Sequence, residues 1–248
     1  MDGFQSVDIL DFDPGVLPIF PGLGGFLHAA KDHAPNEGLI EHVIADLQTL
    51  VVTKLVAGFD DDCVEGLRRI VGEVAAGRRG SLKFLVLDFA HHMERDSEGG
   101  ADFNRLVNEV AGLILNSPVV SVACVRAHMA GADLELALAC NLMIAVRGRR
   151  FSFAADPALS LATYGFLSHK LGFVRAERLM ENGENLDAGQ MQDLFLAKAT
   201  LQEGAGFAEV EQFLTRSLRR HNSAYAMYRA QRIAHPAFAE DTGEARIA

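Results

Sequence analysis

The chain lacks any apolar run approaching the roughly 18 residues that a bilayer span requires, so the sequence predicts no membrane-spanning helix. It is also short of positive charge: 23 Lys and Arg stand against 33 Asp and Glu, a formal net charge of −10. That balance excludes a general binder of nucleic acid or of anionic membrane surfaces, both of which need a basic face. It leaves room for a local basic patch toward an anionic cofactor. Cysteine is scarce. Cys63, Cys124 and Cys140 show no metal-ligand spacing, cannot all pair within one chain and lie in apolar or helical context, so they read as reduced core thiols. No metal site is expected. The start, MDGFQSVDILDFD, is acidic and lacks the basic opening of a secretory signal, and a cytoplasmic location is the expectation. No stretch rich in Pro, Gly or Ser separates two domains, and no internal repeat is visible. Gly22, Gly24 and Gly25 follow neither phosphate-loop nor dinucleotide spacing, so a turn-rich N-terminal arm is the better reading of that segment.

What is present is apolar material for a sizeable core, with 49 % hydrophobic and 23 % charged residues in 248. Asn36 is placed to cap a helix carrying Leu39, Ile40, Val43, Ile44 and Leu47. A strand follows over Thr49 to Val56. Asp60 to Asp62 then open an amphipathic helix, which GRRGS (Gly77 to Ser81) ends, and Phe84 to Phe89 forms a buried strand. A polar loop leads to a helix from Phe103, closed by Ser117-Pro118. Val119 to Val125 and Leu142 to Val146 read as strands, with Phe151 to Phe153 a further candidate. Beyond Pro157 the pattern is helical. Asp187 to Gln190 fits a capping box, two helices are expected over residues 206–221 and 222–234, and the residues after Pro236 read as loosely ordered. Strands joined by helix-length connections imply an α/β fold with parallel pairing and right-handed crossovers.

Residues Ser117 to Asn141, SPVVSVACVRAHMAGADLELALACN, organise the rest. A β-branched apolar strand runs into the small-residue hinge Ala130-Gly131-Ala132 and then into a helix that carries Glu135 among leucines and alanines. A strand delivering the backbone to a helix start leaves unpaired N–H groups aimed at one spot. Gly99-Gly100-Ala101 follows an earlier strand in the same manner, so both loops open on one sheet edge. Two such N–H groups suit an oxyanion hole. Two readings stand for Glu135: a general acid or base with a burial-raised pKa, or the polar edge of a helix reaching solvent or an internal partner such as Arg126. His128 either orients a loop or substrate or is a packed, hydrogen-bonded imidazole. His91 and His92 read as solvated loop residues.

These residues resemble the crotonase (enoyl-CoA hydratase/isomerase) superfamily. VRAHMAGADLELALACN is similar to the family's V-R-G-H-A-L-G-G-G-x-E-L-A-L-A-C-D, EGGADF to S-A-G-A-D-L, and RAERLMENGENLDAGQM to R-A-x-E-L-L-L-T-G-E-x-I-x-A-x-E-A; together they cover roughly residues 83–195. The resemblance implies a crotonase-like spiral ββα core with a C-terminal helical region. It implies an N-terminal arm and helix over 1–48, a core over 49–200 and a C-terminal helical oligomerisation region over 201–248. It implies a homotrimer or hexamer and substrates that are thioesters of coenzyme A or acyl carrier protein, with no cofactor beyond that carrier. Ala101 and Ala132 would supply the oxyanion-hole N–H groups, Glu135 the catalytic carboxylate, and Gly100, Gly131 and His128 the surrounding substrate contacts.

The departures are equally specific. The family's G-G-G reads Gly131-Ala132-Asp133, which adds a carboxylate beside a developing enolate. The family's second glutamate falls on Ala155, and a shifted register would bring Asp156 to that place. Ala162 to Phe166 replaces a P-G-x-G-G turn, and AGFDDDCVEGL stands where an N-R-P signature helps hold coenzyme in relatives. With one clear carboxylate, double-bond isomerisation or another enolate reaction fits better than hydration. ATYGFLSHKLGFVRAERLMENG and the stretch from Asn222 to His235 are faintly similar to the bacterial synthases of fatty-acid diffusible signals, which dehydrate and cleave acyl-carrier-protein thioesters. A catalytically degenerate crotonase-fold binding protein is a further alternative.

Overall fold

Strand β4 (Val120–Val125) has all six residues buried, as expected of a central parallel strand covered on both faces. Around it a six-stranded sheet forms in the order β1-β2-β3-β4-β5-β8. The computed structural model describes residues 38–55, 60–91, 101–153 and 160–218. The chain divides into two compact units, Met1–Pro35 and Asn36–Ala248, and every described residue belongs to the second. In chain order its elements are β1 (Leu39–Ile44), a 3-10 turn (Ala45–Leu47), β2 (Thr49–Lys54), α1 (Asp61–Ala75), β3 (Phe84–Phe89), α2 (Ala101–Asn116), β4, α3 (Gly131–Ala139), β5 (Leu142–Val146), β6 (Arg150–Ser152), α4 (Ser160–Leu171), α5 (Phe173–Asn182), β7 (Asn185–Asp187), α6 (Ala188–Asp193), β8 (Ala199–Leu201) and α7 (Phe207–Leu218).

The expected parallel crossovers are present. β2, β3, β4, β5 and β8 are mutually parallel, with Thr53 level with Asp88 and Cys124, and Lys54 level with Phe89 and Val125. Side chains alternate between the faces. On one face Leu50, Val52, Leu85, Leu87, Ala123 and Val125 pack with α1, α2 and α3; on the other Val51, Val86, Val122 and Ile144 meet Val210 and Leu214 of α7. α1 begins as its acidic start predicts: Asp60 is the N-cap and accepts the Cys63 N–H at 2.8 Å.

Two expectations are corrected. Residues 39–44 form β1, antiparallel to β2, and not a helix. Ile40, Val43 and Ile44 are β-branched and suit a strand. β2 without β1 would be an unpaired edge, and Gln48 turns the chain in the left-handed region at φ 50°. The apparent helical stripe was no buried face, since Ile40 and Val43 are 47 % and 58 % exposed. The stretch beyond Pro157 also holds two three-residue strands, β7 and β8, too short to show a period. The capping box at Asp187 and Gln190 forms as read, with both bonds at 2.8 Å. The expected helix over 222–234 and the segment after Pro236 lie outside the described residues.

Candidate active site

The carboxyl edge of the sheet is where β3 and β4 release the chain toward α2 and α3. Each crossover helix returns from that edge to the start of the next strand, so the first turns of both helices lie there. α3 is preceded by Ala130, extended at φ −153°, whose side chain offers no cap. Gly131 follows at φ 51°, a left-handed conformation that costs a residue with a Cβ about 1 kcal/mol or more. Glycine therefore lets β4 turn at once into the helix. Ala132, 9 % exposed, is the second helical residue, so its N–H has no carbonyl four residues back inside the helix. Ala101 stands first in α2 and its N–H is in the same position. Gly100 lies outside the described residues, as do Asp156, Ala155 and His92.

Glu135 is fully buried, on a helix buried without interruption from Ala132 to Ala139. Such a helix has no polar edge, which removes the reading in which Glu135 reaches solvent. The proposed partner Arg126 is committed elsewhere. Its guanidinium forks onto Asp88, donating to the two carboxylate oxygens at 2.7 and 2.6 Å, and Thr53 Oγ1 donates to the same carboxylate at 3.0 Å. Asp88 is 1 % exposed and is the penultimate residue of β3. His128 is exposed, and its Nδ1 accepts the Arg150 N–H at 3.0 Å. Met129 N–H bonds to Arg150 O and Ser152 N–H to Met129 O, each at 2.8 Å, so β6 braces the hinge that precedes α3. The far end of α3 is tied down by Asn141, whose Oδ1 accepts from Ser121 N and Oγ at 2.9 and 3.0 Å.

Lys54 and Asp133 form a contact that the sequence reading missed. Lys54 Nζ donates to both oxygens of Asp133 at 2.7 Å, and the two side chains are 3 % and 6 % exposed. The carboxylate that seemed to burden the site is thus paired with a buried ammonium. A signal was available: Lys54 closes the otherwise apolar strand TLVVTK, and a lysine is seldom buried without an opposite charge. The three cysteines are free and buried. Burial pushes the Cys63 thiol up to about 12, with Lys54 pulling against that and Asp60 and Asp133 adding to it; burial holds Cys124 well above its usual range too. Among the described residues no group of three or more His, Cys, Asp or Glu is placed to hold a metal, and no helix is long and apolar enough to cross a membrane.

The chemical capacity of this edge is specific: two helix starts whose first N–H groups have no carbonyl partner within their own helix, and one buried carboxylate a turn inside the second. No family model matches the chain, and no curated protein sequence matches it significantly. Solved structures do. DspI of Pseudomonas aeruginosa superposes with a TM-score of 0.64 at 20 % identity, over 83 % of this chain and 82 % of that one. An enoyl-CoA hydratase from Mycobacterium avium subsp. paratuberculosis K-10 gives 0.69 at 19 % identity over 82 % and 88 %. A monofunctional enoyl CoA isomerase from M. smegmatis gives 0.63 at 19 % over 79 % and 90 %. The mixed α/β arrangement, with its mostly parallel sheet and seven α-helices among the described residues, is the crotonase fold that these enoyl-CoA hydratase/isomerase structures share.

Proposed function

We propose that this chain, having the crotonase fold, is an acyl-thioester enzyme that stabilises a thioester enolate. The observation that carries the reading is Glu135, a fully buried carboxylate one turn inside a helix whose N-cap brings no capping side chain. The N–H groups of Ala101 and Ala132 hold the thioester oxygen. Glu135 removes a proton from carbon and returns it to carbon; the electron pair moves onto the thioester oxygen and back. Each oxyanion donor is worth about 2.7–4 kcal/mol of barrier, and a placed general base about 10²–10⁴ in rate. One carboxylate suffices to shuttle a proton between carbons, so double-bond isomerisation is the favoured reaction. Asp156 is the candidate for a second carboxylate, with Gly100, Gly131 and His128 near the substrate.

The substrate carries its own coenzyme A or acyl carrier protein, and no other cofactor is required. The reading includes a trimer or hexamer built through the C-terminal helical region 201–248. A second reading, a synthase of fatty-acid diffusible signals acting on carrier-protein thioesters, is supported by the resemblance that runs along α4 and α5. The Ala132-Asp133 pair in place of two glycines supports a third, a binding protein without turnover.

The test is an assay of the full chain against 2-enoyl, 3-enoyl and 3-hydroxyacyl thioesters on both carriers. Turnover is expected, and Glu135→Gln should lower it by about 100-fold or more. Unchanged turnover in that variant would exclude the assigned role, and absence of turnover with retained thioester binding would select the third reading.

A further inference from the structure

Asp133 follows Ala132 directly, with Cα atoms about 3.8 Å apart. It is the third residue of α3, the position from which an acidic side chain ordinarily reaches back toward the N-cap N–H. Ala130, the N-cap, has no side chain with which to compete for those donors. A carboxylate so placed threatens the proposed oxyanion donor in two ways. It can accept the first-turn N–H groups itself, and its charge opposes any negative charge that develops on the thioester oxygen. Lys54 meets both threats. It reaches from the carboxyl end of β2, engages both oxygens of Asp133 at 2.7 Å, and is itself buried.

We propose that Lys54 is a positioning residue for the oxyanion hole: it draws the Asp133 carboxylate onto itself and cancels its charge, so that the Ala132 N–H serves the substrate. This rests on the reading of Ala132 as an oxyanion donor. The pair is a unit of zero net charge built into the wall of the site, so removing either charge alone shifts the local potential, and the two removals shift it in opposite directions. Loss of the lysine removes the ammonium that offsets the Asp133 charge. Loss of the carboxylate leaves an ammonium that favours an enolate. A pair that merely braced β2 against α3 would show the same sign in both variants.

Acetoacetyl-CoA supplies a readout independent of turnover, because its enolate absorbs in the near ultraviolet and the bound enolate fraction reports stabilisation of the oxygen. With the full chain, Lys54→Met should lower that fraction about tenfold, and kcat with enoyl-CoA in parallel while KM changes little. Asp133→Asn should raise the fraction. Lys54→Met combined with Asp133→Ala should return it to within about threefold of the unaltered protein, and Lys54→Arg should retain most of it. If Lys54→Met does not fold, the Asp133→Asn and double variants still decide, since a fall of tenfold in either overturns the assignment. An unaltered protein that enolises while Lys54→Met enolises equally well overturns it alone. An unaltered protein that neither enolises acetoacetyl-CoA nor turns over any thioester overturns the proposed function, and this inference with it.

Discussion

Cys63 shows how a single buried group ties stability to pH. Its thiol lies 3 % exposed at the start of α1, and burial raises its pKa from 9.0 to about 12. In the unfolded chain the thiol ionises near its ordinary value, whereas in the native protein it stays neutral. The unfolded state therefore binds fewer protons between pH 9 and pH 12, and stability that is fully present below pH 9 falls as pH rises through that window. One such thiol contributes a slope of up to about 1.4 kcal/mol per pH unit. Cys63→Ala should flatten the alkaline limb by about that slope, read from urea midpoints at several pH values. An unchanged limb would mean that the thiol ionises in the native state. At this same scale, the placement of Glu135 and Gly131 was legible from sequence because its signals are local: a carboxylate in an apolar run, a glycine where a strand turns into a helix. The partner of Lys54 was not, because it stands 79 residues away and only the fold brings them together.

Among the elements, β3 and β4 depend on one charge pair at their carboxyl ends. Asp88 accepts from Arg126 through two bonds and from Thr53 through a third, joining β2, β3 and the exit of β4. Removing one partner of a buried pair leaves an uncompensated charge at a cost of about 3–5 kcal/mol. Arg126→Met should accordingly destabilise the chain by about 3 kcal/mol, measured as a drop in denaturant midpoint at unchanged m-value. A loss below 1 kcal/mol would show that water already shields Asp88. The elements also show where patterns mislead. β3, apolar except for Asp88, and β5 have sharp ends, and their bounds could be read directly. β1 carries an i, i+1, i+4 spacing compatible with a helix, but its apolar residues do not share a buried face. Its conformation is decided by the open edge of β2 and by Gln48, so the information lies in a neighbouring strand. β7 and β8 are too short for any period to appear.

For the whole molecule, the parallel sheet was legible as alternating strands and helices, whereas strand order beyond β5 was not. Nothing in residues 147–198 announces that the chain returns to pair with β5. It does so through only three residues, Ala199–Leu201, flanked by the bonds from Lys198 N to Met143 O and from Arg147 N to Leu201 O. The sheet thus closes at opposite ends by opposite routes. β1 and β2 meet through a tight local turn, a pairing that forms within microseconds. β8 reaches β5 across α4, α5 and α6, and long-range parallel pairing of this kind is slow. During that interval β5, apolar from Leu142 to Val146, is a bare edge able to template another chain. The full chain carrying Thr200→Pro, which disrupts the pairing of β8 with β5, should therefore scatter light during refolding at micromolar concentration, under conditions where the unaltered chain refolds clear; clear refolding of both would show that β5 is guarded by something other than β8. Three residues thus separate a sheet edge that is finished within one molecule from one that offers its hydrogen bonds to the next.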